Sequence, residues 1–97
     1  MNHQISQEQQ NLITKLIKSQ LPNAKLIAFG SRIRGNAKKY SDLDLCIQSD
    51  NQIAISDLEK IGEALSATDI PFKIDICDWH AIDEEFRSHI TSYGIKW

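Results

Sequence analysis

The sequence predicts an α/β (α+β) fold, a small mixed β-sheet packed with helices, on three observations. Segments with helical spacing and short strand-like segments follow one another in the order helix, strand, loop, strand, helix, strand, helix. The strand candidates at 42–47 and 72–77 alternate polar and apolar residues, so each has one face for a core and one that carries charge. The chain has 97 residues, room for one modest core and one domain spanning 1–97.

The first helix is read over residues 6–20, where Leu12, Ile13, Leu16 and Ile17 form an apolar stripe. Ser6 with Gln9 fits a capping box, and Pro22 ends the helix. AKLIAF (24–29), short, apolar and bounded by Pro22-Asn23 and Gly30, reads as the first strand. The next segment, RIRGNAKK, is interrupted by Gly35 and supports one or two helical turns at most. DLDLCI (42–47) places Leu43, Leu45 and Ile47 on one face of a half-buried strand. Ser56 with Glu59 fits a second capping box, opening a helix through Leu58, Ile61 and Leu65 to about Ala67. Asp69-Ile70-Pro71 breaks it. FKIDIC (72–77) is the third strand, with Phe72, Ile74 and Ile76 on its apolar side. Ile82, Phe86, His89, Ile90 and Tyr93 recur at helical spacing over 82–93, and Gly94 suits the C-terminus of that helix.

A net charge of -2, with 41% hydrophobic and 25% charged residues, is ordinary for a soluble globular chain and provides no general attraction to nucleic acid or an anionic membrane. No apolar run is long enough to span a bilayer, and MNHQISQEQQ lacks the hydrophobic segment of a signal peptide, so a cytoplasmic location is expected. Cys46 and Cys77 form no C-x-x-C pair and are expected to be free thiols used as small packing residues. His3, His80 and His89 show no metal-ligand spacing. Trp79 and Trp97 are expected to cover the sheet edge or a partner contact, and Tyr40 and Tyr93 to pack.

The chemistry concentrates in GSRIRGNAKKYSDLDL (30–45). Side chains alternate along a strand, so Asp42 and Asp44 point the same way, roughly 6.5 to 7 Å apart. Their repulsion is about 2.5 kcal/mol at an effective dielectric of about 20, and a divalent cation between them reverses its sign. The alternative is that both simply face water. The upstream loop favours a ligand: Gly30 permits close backbone approach, Ser31 adds a hydroxyl, and a following helical turn aims N–H groups at an anion. Phosphate and Mg²⁺ sites come together, because Mg²⁺ is bound through one or two carboxylates plus substrate phosphates. Arg32 and Arg34 can neutralise a polyphosphate, or be solvated surface residues. Ser41 is placed to cap the turn or touch phosphate. Asp75 lies on the polar face of its strand. If that strand neighbours 42–47, three carboxylates meet and can hold two metal ions, with Asp75 helping to deprotonate an attacking hydroxyl. Asp78, its competitor, falls on the side of Ile76.

A Gly-Ser followed after a short loop by Asp-x-Asp resembles the signature of the polymerase-β-like nucleotidyltransferases, and most closely their minimal prokaryotic form, the MNT domain. KIDICD matches the expected third carboxylate strand, and the likeness covers nearly the whole chain. Ile33 departs from the alanine common in such loops. The resemblance implies that Gly30 and Ser31 hold a triphosphate, that Asp42 and Asp44 bind catalytic Mg²⁺, and that Asp75 completes the triad. It implies transfer of AMP from ATP to a hydroxyl, with pyrophosphate leaving. Members of this size pair with a helical HEPN toxin, which the MNT antitoxin adenylylates and silences. A hetero-oligomer or homodimer follows. The alternatives are a small-molecule nucleotidyltransferase of the aminoglycoside-modifying kind, disfavoured by the short length, and an idle module that masks its partner by binding.

Overall fold

The computed structural model describes residues 5–30, 33 and 42–97. Among them the element order is α1 (Gln7–Gln20), β1 (Lys25–Phe29), β2 (Leu43–Gln48), α2 (Ile55–Ser66), β3 (Ile74–Asp78), a 3₁₀ turn (Trp79–Ala81), α3 (Glu84–Tyr93) and β4 (Ile95–Lys96). The strands form one mixed sheet in the order β3-β2-β1-β4. β1 runs antiparallel to β2 and to β4. β2 and β3 are parallel, a pairing that needs a crossover connection, and α2 supplies it.

The helix starts follow two different rules. At α1 the predicted capping box is present: Ser6 Oγ accepts the Gln9 N–H at 3.0 Å, and Gln9 Oε1 accepts the Ser6 N–H at 2.9 Å. The predicted box at Ser56 is not what starts α2. Its N-cap is Ala54, with no side-chain cap hydrogen bond, and Ser56 lies inside the first turn. A tertiary contact fixes the entry instead, because the Ile53 N–H donates to Asp78 Oδ2 at 2.8 Å. Asp57 in the first turn complements the exposed N–H groups there.

One face of the sheet carries most of the core. Leu26, Ala28, Leu43, Leu45 and Ile47 pack there against Ile13 and Ile17 of α1, Ile61 and Leu65 of α2, and Ile33 and Phe72 from the connections. Each of the larger of these contributes about 1.5–3 kcal/mol by burial. Leu12, at the margin of the predicted α1 stripe, stays 39% exposed. The second face holds a smaller cluster of Ile27, Phe29, Cys46 and Ile90, with Cys77, Trp79 and Ile82 against it.

The short strand β4 was not expected, because two residues carry no readable alternation. After α3 the Gly94 N–H donates to Ile90 O at 2.7 Å, and the chain then turns so that Ile95 pairs with Ala28 and Lys96 with Ile27. Gly94 is needed for closeness: an added Cβ would stand 2.5 Å from Ile90 O and 2.6 Å from Ile27 Cγ2. No helix among the described residues is long and apolar enough to cross a membrane.

Candidate active site

The strand register stacks the second face of the sheet in layers. Phe29 is the Cα partner of Asp44, and Asp44 of Asp75. One repeat further along, Ile27 partners Cys46, and Cys46 partners Cys77. Two carboxylates from adjacent strands therefore sit side by side above a layer of sulfur and aliphatic groups. Asp42 is exposed, just before β2.

Partial burial, then the charge of Asp75, then that of Asp42, hold the pKa of Asp44 above the ordinary value of 3.8. Asp75 is 44% exposed and takes an ion pair from Lys73, Nζ to Oδ1 at 3.3 Å. Gly30 ends β1 against the same carboxylate. Its φ is +91°, in the region that favours glycine, and a Cβ there would overlap Asp44 Oδ2. The chain can pass this close to Asp44 only without a side chain.

Asp78 has a different fate from Asp75. It lies on the opposite face, 3% exposed, and its carboxylate accepts the N–H of Ile53 at 2.8 Å and of His80 at 3.0 Å. Alternation along β3 separates the two aspartates. His80 also ties Nε2 to Ser49 O at 2.7 Å. Ser31, Arg32, Arg34 and Ser41 lie outside the described residues.

The cysteines are free thiols, as expected, but their adjacency was not readable before the strand register was known. Cys46 donates a hydrogen bond to Cys77, which pushes the Cys46 pKa up and the Cys77 pKa down.

The donor chemistry suits a hard cation. Among the described residues, no group of three His, Cys, Asp or Glu could hold a metal ion alone. Mg²⁺ asks for less: one or two carboxylates, with substrate phosphates and water completing its shell. Asp44, flanked by Asp75 and Asp42, meets that requirement. Two cavities among the described residues lie elsewhere, one of about 490 Å³ beside Ser6, Gln9 and Ile70 and one of about 370 Å³ beside Pro22 and Ile53. Neither has a carboxylate pair in strand register with it.

A glycine-ended strand against paired aspartates on a mixed sheet defines a class, and residues 10–96 match the family described as polymerase beta, nucleotidyltransferase. The chain belongs to that family and is a nucleotidyltransferase. Over 86 residues it is 37% identical to the probable protein adenylyltransferase MntA of Haemophilus influenzae, covering 89% of this chain and 75% of that one. Two solved structures share the fold. A toxin-antitoxin complex with AMP-PNP matches at TM-score 0.79 and 19% identity, over 90% of this chain and 71% of that one. The MNT antitoxin bound to a tri-AMPylated HEPN toxin from Shewanella oneidensis matches at TM-score 0.70 and 18% identity, over 90% and 67%.

Proposed function

We propose that this chain is an Mg²⁺-dependent protein adenylyltransferase that moves AMP from ATP to a hydroxyl of a HEPN-type partner and thereby neutralises it as an antitoxin. The observation that carries the reading is Asp44, held beside Asp75 by strand register and approached by the side-chain-free backbone of Gly30. The identity to MntA supports the acceptor class.

In this reading the acceptor oxygen attacks the α-phosphorus of ATP, the α–β phosphoanhydride bond breaks, and pyrophosphate leaves. Asp42, Asp44 and Asp75 would hold Mg²⁺, two ions in the fuller form of the proposal. Bound there, Mg²⁺ supplies Lewis-acid stabilisation of charge on the phosphates. Asp75, with its side chain 44% exposed, takes the proton of the attacking hydroxyl. Gly30 lets the main chain lie against the phosphates, and Ser31, Arg32, Arg34 and Ser41 are assigned by sequence to the same triphosphate.

The test is intact mass measurement of a HEPN-type partner after incubation with this chain, ATP and Mg²⁺. A gain of whole AMP units is expected, abolished by EDTA and by Asp42→Asn with Asp44→Asn. A partner that is neutralised while its mass stays unchanged means masking by binding, and the catalytic reading falls.

A further inference from the structure

We propose that Phe86, backed by His89 on α3, is the platform on which the purine base of the nucleotide stacks; the proposal rests on the nucleotidyltransferase reading above and deepens it. Phe29 links the two regions. It partners Asp44 across β1 and β2, and its ring meets Phe86 edge to face, centroids 5.6 Å apart at 82°. Phe29 and Asp44 are directly opposed across the strand pair, so one side chain, that of Phe29, bridges the layer of the carboxylates and the Phe86 ring. A ribose and base extending from phosphates held at Asp44 would run out over Phe29 toward that ring.

The Phe86 ring is placed to receive a flat ligand. It is 38% exposed although apolar, and its plane lies within 20° of the His89 imidazole, centroids 6.2 Å apart. The row continues to Tyr93, 5.0 Å from His89 and 57% exposed. Asp83, Glu85, Phe86 and His89 line a depression of about 410 Å³, within the span of roughly 300–1,000 Å³ usual for small-molecule sites. The support beneath is rigid. The Phe86 N–H is capped by Asp83 Oδ1 at 2.8 Å, and Arg87 Nε donates to Trp79 O at 2.8 Å with its guanidinium over the Trp79 ring. Aromatic stacking is tolerant of base identity, because each base offers a π face. A platform on Phe86 therefore adds affinity for any nucleoside triphosphate over the triphosphate alone.

The experiment compares calorimetric binding of Mg·ATP and of Mg·tripolyphosphate, a probe with the phosphates and no base. Phe86→Leu keeps apolar cover over Phe29 and removes the aromatic face. Its ATP affinity is expected to fall about 5-fold or more, while tripolyphosphate binds it as it binds the wild type. Equal ATP affinity in wild type and variant overturns the proposal, as does a parallel loss for both probes or a wild type that binds ATP no tighter than tripolyphosphate. The two readings separate cleanly: ATP binding that depends on Phe86, with no partner modified, upholds the platform and sinks the transfer reaction.

Discussion

Asp44→Asn is expected to make the protein more stable while removing its activity. Asp44 sits opposite Asp75 on adjacent strands about 4.8 Å apart, the scale of their separation. At that distance two unit charges repel by about 3.5 kcal/mol at an effective dielectric of about 20 and about 0.9 kcal/mol in water. Asp75 is 44% exposed and paired with Lys73, and exposed charges are heavily screened, which places the relief near the lower bound, about 1 kcal/mol. For a domain of this size that raises Tm by about 4–8 °C. The pH dependence has a definite sign. Asp44 has a raised pKa in the folded state, so its cost is present at neutral pH and fades as pH falls through the raised value toward 3.8. Thermal melts of wild type and Asp44→Asn in EDTA should differ most near pH 7 and converge at acid pH. A variant that melts lower than wild type at pH 7, or a gap that widens as pH falls, refutes the charge argument.

Two further substitutions probe the same frame. Gly30→Ala forces a side chain into φ +91° and onto Asp44 Oδ2; a loss of about 1–2 kcal/mol should accompany a loss of ATP binding, read by thermal melts and calorimetry. Asp78→Ala leaves the buried N–H of Ile53 and the part-buried N–H of His80 without their acceptor, and urea unfolding should show a loss of about 1–3 kcal/mol, whereas Asp75→Ala on the other face should stay within about 1 kcal/mol of wild type.

What could be read from the sequence is what depends on neighbours along the chain. The α1 box needs only Ser6 and Gln9, three residues apart, and it forms. Leu43, Leu45 and Ile47 show their shared face by alternation alone. Signals that depend on distant partners were silent or misleading. Ser56 and Glu59 have the right spacing for a cap, yet the carboxylate of Asp78, 25 residues beyond Ile53, starts α2 earlier. β4 exists because β1 has a free edge for Ile95 and Lys96, a fact about the sheet and not about those two residues. The candidate site divides in the same way. Asp42 and Asp44 share a face by local geometry, but that Asp75 stands opposite Asp44, and Cys77 opposite Cys46, follows only from the parallel pairing of β2 and β3.

That pairing also explains how a chain this small keeps stability and chemistry apart. The first face of the sheet is apolar apart from the buried, hydrogen-bonded carboxylate of Asp78 and is sealed by α1 and α2. The second face changes character over one strand repeat, about 6.5–7 Å, from Ile27, Cys46 and Ile90 to the carboxylates of Asp44 and Asp75. The apolar layer beneath Asp44 lowers its access to water, and partial burial is the largest cause of its raised pKa. Burial strengthens its interaction with any charge brought to the open side, because the same low dielectric that penalises an unpaired carboxylate amplifies a paired one. The cost of holding Asp44 there is met by the core on the other face, where substitutions alter stability without touching the charged layer. Polar replacements at Cys46 or Ile90, both fully buried, act differently: hydrating this layer is expected to return the Asp44 pKa toward 3.8, at a cost to the fold set by the buried polar group.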